Sequence, residues 1–412
     1  MGASKSKPLS PEVKDLEELD PEEFESFKEA FNNGGLSELK RKVDEDIDKW
    51  KNVPVNIAVT GNSGNGKSSF INSFRGLKAY SEGAAKVGVD ETTFEPKDYM
   101  HPINKNIVLW DLPGVGTQNF PKNTYLQAVD FHKYEYFLII TATRFTENDI
   151  WLANEVQNLG KKFIFIRTKM SIDVSNDGHD NPGICKDDTV SKVRQAMAKH
   201  VKDAGFEEIR VFLIDNHFPL DYDFPDLIET MINEAPKWKQ EAMTLTMTNL
   251  TKSLIHRKKD VLQKRIMKVA IVSAIGGAVP LPGVGLVVDL SIFIEEIHFY
   301  RKQLGLDDDS LQEIARSLDT TVEHLKVDLQ LNSHFLGASL RSIAAFVSTL
   351  VLSEVAETVS AIAIPILGSF VGANISYGST VAVLRSILDA LVSDALAINK
   401  RLMQQLSEQS FS

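Results

Sequence analysis

The sequence predicts an α/β domain, in which a mostly parallel sheet carries helices on both faces, and an all-α helical domain built from N- and C-terminal segments. Between residues 53 and 236, short apolar runs alternate with helical stretches, as they do around parallel sheets. Outside this part, apolar residues recur at helical spacing. The length of 412 residues exceeds the roughly 250–300 residues at which one hydrophobic core stops growing, so we expect more than one domain.

The predicted elements follow one another along the chain. A short tail at 1–8 precedes the N-terminal helices at 9–52, which a polar, glycine-containing break at 32–35 divides in two. The α/β domain occupies 53–236, and the C-terminal helical domain occupies 237–412. The apolar runs interpreted as strands are 55–60, 106–110, 136–141, 162–166 and 210–214, and the helices between them lie near 67–76, 147–159 and 187–203.

Two uncharged segments, 269–288 and 358–384, distinguish the C-terminal helical domain. Their length would allow membrane-spanning helices. We favour buried core or a membrane-touching hairpin, because the first contains a Pro-Leu-Pro-Gly turn between two short helices and the second is rich in Ser, Thr, Asn and Gly. Between them, apolar residues from Leu311 to Leu329 predict one amphipathic helix.

The composition excludes several classes of protein. Hydrophobic residues make up 43% of the chain and charged residues 25%, which is ordinary for folded globular domains and excludes global disorder. The formal net charge of −11 argues against nucleic acid as a partner. Because Cys185 is the one cysteine, the chain has no disulfide framework and no cysteine-built metal site, and a reducing compartment is indicated.

The first six residues, Met1–Ser6, match the pattern for N-myristoylation, with Gly2 as the acceptor. The alternative is an unmodified, disordered start. One acyl chain gives only marginal and reversible membrane binding, and Lys5 and Lys7 would add attraction to anionic membrane lipids. We therefore expect a cytoplasmic protein that associates peripherally with intracellular membranes through this lipid.

A glycine-rich phosphate-binding loop directly follows the first predicted strand. Residues 61–68 match G-x-x-x-x-G-K-[ST], in which backbone N–H groups and the start of the next helix point at a phosphate. Lys67 would neutralise the β- and γ-phosphates, and the Ser68 hydroxyl would ligate Mg²⁺. The residues assigned to phosphate binding are Gly61, Asn62, Ser63, Gly64, Asn65, Gly66, Lys67, Ser68 and Ser69.

A second motif, Asp-Leu-Pro-Gly at 111–114, follows the strand 106–110. The Asp111 carboxylate would hold Mg²⁺ through water, and the Gly114 N–H would contact the γ-phosphate. In the polar loop between the two motifs, Thr93 would close over the metal ion, with Thr92 as the alternative ligand. This loop could instead be a solvated surface turn.

The base-reading residues are expected at the carboxyl ends of the last two strands. Guanine sites normally use [NT]-K-x-D, and Thr168 and Lys169 fit this pattern, whereas Ser171 occupies the aspartate position. We expect the chain to bulge after Lys169 so that Asp173 supplies the carboxylate; Asp215, or no carboxylate at all, is the alternative. The residues assigned to base binding are Thr168, Lys169, Asp173, Asp215 and Asn216.

This set of motifs resembles the immunity-related GTPases, the interferon-inducible large GTPases of vertebrates. Lys67 is similar to the lysine of the effector branch, in contrast to the branch with methionine at that place. Ser171 and Asp215 depart from the family pattern, which has aspartate and serine there, and the C-terminal region is more apolar. The matching stretches are 58–61 with 70–72, 83–86, 110–114, 119–121, 141–145 with 148–149, and 222–225.

The resemblance implies a G domain that uses GTP as substrate, GDP as product and Mg²⁺ as cofactor. It implies a homo-oligomer formed through the G domains when GTP is bound, with related GTPases as further partners. Action at membranes of pathogen-containing vacuoles in interferon-induced immunity is also implied. A switch-loop glutamate of the family would correspond to Glu91, which joins Lys67 and Thr93 as a catalytic residue.

Two other functions stay open at the level of the sequence. The chain could be a nucleotide-gated membrane scaffold that hydrolyses weakly, because no glutamine directly follows Gly114 to orient the attacking water. It could also be an ATPase, because the guanine motif is imperfect. Turnover measured against protein concentration would separate the hydrolase from the scaffold, and comparison of GTP with ATP affinity would test the third possibility.

Overall fold

A computed structural model describes residues 20–88, 95–116, 120–207, 209–249, 251–276, 279–280, 287–288, 290–331 and 371–410. The chain divides into two compact units. One unit comprises Lys51–Thr251 with a piece that starts at Met403, and it contains the six-stranded sheet. The other comprises the chain up to Trp50 together with Lys252–Leu402 and is mainly helical.

The helices and strands are named in chain order. The helices are α1 (Pro21–Ile47), α2 (Lys67–Phe74), α3 (Lys122–Ala128), α4 (Glu147–Asn158), α5 (Met170–Asp180), α6 (Lys186–Asp203), α7 (Phe224–Glu234), α8 (Lys237–Thr246), α9 (Lys252–Gly276), α10 (Leu290–Gln303), α11 (Asp308–Ser317), α12 (Val322–Asp328) and α13 (Val371–Ser410). The strands are β1 (Val55–Thr60), β2 (Lys97–Met100), β3 (Ile107–Asp111), β4 (Tyr136–Thr141), β5 (Lys162–Arg167), β6 (Val211–Leu213), β7 (Val279–Pro280) and β8 (Val287–Val288).

The large sheet has the order β2-β3-β1-β4-β5-β6, in which β2 alone runs antiparallel to its neighbour. Every residue of β4 is buried, and so are five of the six residues of β1. Strands covered by helices on both faces must be apolar throughout, which is why these strands appear in the sequence as continuous apolar runs. The predicted α/β fold with flanking helical segments is therefore confirmed.

The edge strand β2 and the boundary after the sheet differ from the expectations. Strand β2 (Lys97–Met100) is mostly exposed and polar, so it has no apolar run to reveal it. Helix α8 was assigned to the C-terminal helical domain, but it groups with the sheet unit. The reason lies in its buried side chains, including Lys239, whose Nζ lies 2.5 Å from Glu135 Oε1 beside β4.

In the helical unit, α1 breaks where the sequence predicts it. Gly35 has φ 66° and ψ −154°, values outside the helical region, so the helix is divided there. Ion pairs of the buried Lys268 connect α1 to α9: its Nζ donates to Asp46 and, at 3.2 Å, to Glu23. On the same helix, Arg265 donates to Ile47 O at 3.1 Å.

Arg265 also forms a buried ion pair with Glu296 of α10, at 2.7 Å between Nη2 and Oε1. Because the Glu296 side chain is only 6% exposed, Glu296→Ala would leave a largely buried guanidinium with only the more distant Asp48 carboxylate, at 4.0 Å. We expect this change to lower the free energy of unfolding by about 2–4 kcal/mol, measured by urea denaturation followed by circular dichroism.

The control is Asp44→Ala, which removes an exposed ion pair with Lys40 and should cost less than about 1 kcal/mol. Equal losses for Asp44→Ala and Glu296→Ala would contradict the importance of the buried pair. Both carboxylates belong to the helical unit, so the same unfolding transition reports on them.

The C-terminal part differs from the expected helices at two places. Where the ends of two short helices were expected, Val279–Pro280 pairs antiparallel with Val287–Val288, and the turn predicted at 280–283 lies mostly outside the described residues. In place of one amphipathic helix there are two, α11 and α12, separated around Asp319, whose φ of 51° lies in the left-handed region. Among the described residues, no helix combines the length and apolar character needed to cross a membrane. The first part of the uncharged segment 358–384, residues 358–370, lies outside those residues.

Candidate functional site

The glycine-rich loop begins at Gly61, directly after β1, and ends where Lys67 starts α2. Gly61 has φ +139°, and a Cβ atom added there would lie 2.1 Å from the backbone oxygen of Ile140 in β4. The same oxygen accepts a 2.9 Å hydrogen bond from Asn65 Nδ2. Glycine is therefore required where the loop lies against β4, and this contact fixes the position of the curled backbone.

Lys67 places its ammonium group over this loop. Its Nζ donates to Gly61 O at 2.9 Å and to Asn62 O at 3.4 Å. Asp149 of α4 is a nearby charge: burial raises the pKa of its carboxyl, while hydrogen bonds from Thr146 and the charge of Lys67 act in the opposite direction. The Lys67 ammonium is therefore placed where it could neutralise the negative charge of a bound phosphate.

Ser68 and Asp111 lie together at the base of the loop. The Ser68 hydroxyl lies 3.5 Å from Asp111 Oδ2, because β3 pairs in parallel with β1 and brings Asp111 opposite Val59. A hydroxyl and a carboxylate are oxygen donors of the kind that Mg²⁺ prefers. These residues fit the predicted metal site, with Asp111 only 3% exposed.

The segment after Asp111 is held from two sides. Tyr125 of α3 donates to Pro113 O at 2.9 Å, and burial raises the pKa of its phenol. Asn148 of α4 donates to Val115 O at 2.8 Å. Gly114 lies between these two contacts. Sequence reasoning assigned no role to Tyr125 or Asn148, although Asn148 lay in one of the stretches that carry the family resemblance.

Residues of the two base-reading segments contact the phosphate loop directly. Thr168 Oγ1 donates to Asn65 O at 2.8 Å, and Asn216 Nδ2 donates to Gly66 O at 3.1 Å. Lys169 follows Thr168 in the left-handed conformation, with φ 62°. The structure therefore brings the predicted phosphate-binding and base-binding segments together at the carboxyl end of the sheet.

The expected bulge after Lys169 is wrong, because helix α5 begins at the next residue, Met170. Asp173 lies in the first turn of this helix, where its Oδ2 accepts a 2.6 Å hydrogen bond from Arg167 Nη2. Burial raises the pKa of Asp173, and the charge and hydrogen bond of Arg167 oppose that shift. The Asp173 carboxylate is thus committed to a buried arginine.

This pairing predicts that Asp173→Ala lowers the stability of the fold and does not act selectively on GTP affinity. Arg167 has a side chain only 7% exposed, so removal of the carboxylate leaves a largely buried charge with one fewer partner. Because Asp173 itself is 27% exposed, we expect a moderate loss of about 1–3 kcal/mol in the free energy of unfolding. Thermal denaturation and GTP titration of the variant test this: a selective loss of GTP affinity with unchanged stability would contradict it.

The other candidate carboxylate, Asp215, contacts Ser171. Ser171 N and Oγ donate to Asp215 Oδ2 at 3.0 and 2.5 Å. The predicted residues Ser63 and Ser69 lie in the loop and in the first turn of α2. Glu91 and Thr93, as well as the acceptor Gly2, lie outside the described residues, so their roles stay predictions.

Comparison with known proteins identifies the family of this chain. The model of the interferon-inducible GTPase (IIGP) family matches residues 20–400. Interferon-inducible GTPase 1 of Mus musculus is 34% identical over 346 residues, which are 79% of this chain and 83% of that protein. Interferon-inducible GTPase 5 of Rattus norvegicus is 30% identical over 97% of this chain and 86% of its own length. Among solved structures, an oligomerised bacterial dynamin pair matches with a TM-score of 0.34 and 11% identity, over 98% of this chain and 79% of that one. The chain therefore belongs to the interferon-inducible GTPase family and is a GTP hydrolase.

Proposed function

We propose that this chain binds GTP and GDP with Mg²⁺ at the loop Gly61–Ser69, hydrolyses GTP in a self-associated state and acts at intracellular membranes in interferon-induced immunity. The observation that carries the proposal is the direct bonding of both base-reading segments to the phosphate loop, by Thr168 to Asn65 O and by Asn216 to Gly66 O. One nucleotide could therefore contact all three segments at once.

Within this proposal, each group at the site has a distinct task. Lys67 binds the β- and γ-phosphates, and the Gly114 N–H contacts the γ-phosphate. Ser68 and Asp111 would hold Mg²⁺, which when bound neutralises charge that develops on the phosphates. Thr93 would complete the metal site, and Glu91 would act across the interface between two G domains. Lys169 would pack its alkyl chain against the base.

Self-association is part of the proposal because the family resemblance implies it. The experiment is GTP turnover per molecule measured over a wide range of protein concentration. We expect the rate per molecule to rise with concentration if assembly activates hydrolysis. A low rate that is independent of concentration, together with tight GTP binding, would identify a weakly hydrolysing scaffold, and equal affinities for GTP and ATP would contradict guanine specificity.

Membrane association is proposed to depend on a myristoyl group at Gly2. We expect Gly2→Ala to move most of the protein from the membrane fraction to the cytosolic fraction, because amide-linked acylation requires an N-terminal glycine. Fractionation of cells that express each form measures the shift, and Ala3→Ser serves as the control that keeps the acceptor. Equal membrane fractions for Gly2→Ala and the unchanged protein would show that another part of the chain is the anchor.

A further inference from the structure

The two positions at which the chain departs from the guanine-binding pattern are hydrogen-bonded to each other. Ser171 stands where that pattern has aspartate, and Asp215 stands where it has serine. Although they are 44 residues apart in the sequence, Ser171 Oγ lies 2.5 Å from Asp215 Oδ2. The two departures are therefore parts of a single arrangement, in which the carboxylate and the hydroxyl have exchanged places.

The hydrogen bonds around Asp215 show which of its atoms are already occupied. Its Oδ2 accepts from both Ser171 N and Ser171 Oγ, and its Oδ1 accepts from His217 N at 2.9 Å. A carboxylate offers about four acceptor positions, so three are used within the protein. Asp215 is also only 2% exposed. Little of this carboxylate remains to meet a base directly.

The Ser171 hydroxyl, in contrast to the Asp215 carboxylate, still has acceptor positions for a ligand. Its proton points at Asp215, which leaves the lone pairs of Oγ as acceptors. A hydrogen bond to a carboxylate polarises the hydroxyl and strengthens its acceptor character. Ser171 is half-buried, in contrast to the fully buried Asp215. The side chain that can face a ligand is thus a serine that accepts hydrogen bonds, supported from behind by a negative charge.

We propose that Ser171 Oγ reads the guanine base by accepting from N1–H and the 2-amino group, and that Asp215 is the positioning residue that orients and polarises this hydroxyl. The proposal rests on the proposed function, namely that a guanine nucleotide occupies this site. Adenine presents an acceptor at N1, so it would place two acceptors opposite each other. Two acceptors that face each other cannot form a hydrogen bond, and each loses its bond to water. Adenine should therefore bind less tightly than guanine.

A purely structural role for Asp215 predicts different behaviour. Because Ser171 N belongs to the first turn of α5, Asp215 also satisfies a free N–H at the start of this helix. A residue that only caps the helix would change stability, and it would not change the preference among bases. Discrimination between guanine and other bases is therefore the readout that separates the two roles.

The test measures dissociation constants of GDP, inosine diphosphate and ADP for the full chain, since diphosphates avoid turnover and inosine lacks the 2-amino group. We expect Ser171→Ala to lose about tenfold in GDP affinity with little change for ADP, the size expected for one lost hydrogen bond with a polarised partner. The preference for GDP over inosine diphosphate should shrink in the same variant. Ser171→Thr keeps the hydroxyl and should retain the preference, and Ser175→Ala, an exposed serine on the same helix, should match the unchanged chain.

The double exchange tests whether the two residues act as a unit. Asp215→Ser alone removes the carboxylate and should weaken GDP binding, whereas Ser171→Asp combined with Asp215→Ser should restore it. A folded Ser171→Ala protein with an unchanged ratio of GDP to ADP affinity would overturn the assignment while leaving the proposed function intact. If the unchanged chain binds no GDP, or binds ADP equally well, the proposed function fails and the assignment fails with it.

Discussion

Lys67→Ala is expected to abolish tight GTP binding while the protein stays folded. The Lys67 ammonium lies 2.9 Å from Gly61 O, so it is held over the loop in which the phosphates would lie. Removing it takes away a charge-assisted contact to the β- and γ-phosphates. We expect a loss of several kcal/mol in binding free energy, measured by calorimetric titration with GTP and GDP.

The matched control for this change is Lys105→Ala. Lys105 is an exposed lysine that precedes β3, whereas the phosphate loop lies at the carboxyl end of the sheet. The Lys105→Ala variant should leave GTP affinity unchanged. It therefore separates loss of the contact with the phosphates from the mere loss of one positive charge. Unchanged GTP affinity in a folded Lys67→Ala protein would contradict the assignment of the phosphate site.

Much of the sheet unit could be predicted because its sequence signals are local. Strand β1 is buried on both faces, so its apolar run and the glycines after it mark the strand and the loop directly. The contact between Ser68 and Asp111 could also be predicted from the sequence, because the carboxyl ends of neighbouring parallel strands lie together. What these predictions share is that each signal lies in one strand and in the residues directly after it.

The base-reading side was predicted less well because it depends on pairings between distant residues. Arg167 is the last residue of β5, and nothing local indicates that its guanidinium turns back to hold Asp173. The bond between Ser171 and Asp215 likewise joins the start of α5 to the residues after β6, with α6 between them in the sequence. Ser171 and Asp215 were visible in the sequence only as departures from a pattern, and the partner of Asp173 was not visible at all. In such cases the polar partners decide the geometry, and the spacing of apolar residues carries no information about them.

Gly61→Ala is expected to disrupt the phosphate loop as strongly as the loss of Lys67. The added methyl group would lie 2.1 Å from Ile140 O, a backbone atom of a fully buried strand that cannot move without displacing its neighbours. The Asn65 hydrogen bond to the same oxygen would be lost or distorted. We expect the losses in the free energy of unfolding and in the free energy of nucleotide binding to add up to about 3 kcal/mol or more.

Gly64→Ala is the control that separates this close approach from backbone strain. Gly64 also has a positive φ, of +77°, but an added Cβ would meet no atom within 4 Å. The cost of Gly64→Ala should therefore come only from the left-handed backbone conformation, and it should be about 1–2 kcal/mol in the free energy of unfolding. Thermal denaturation and GDP titration of both variants measure the difference. Equal effects for Gly61→Ala and Gly64→Ala would mean that strain alone governs the loop, and that its contact with β4 does not determine how it binds phosphate.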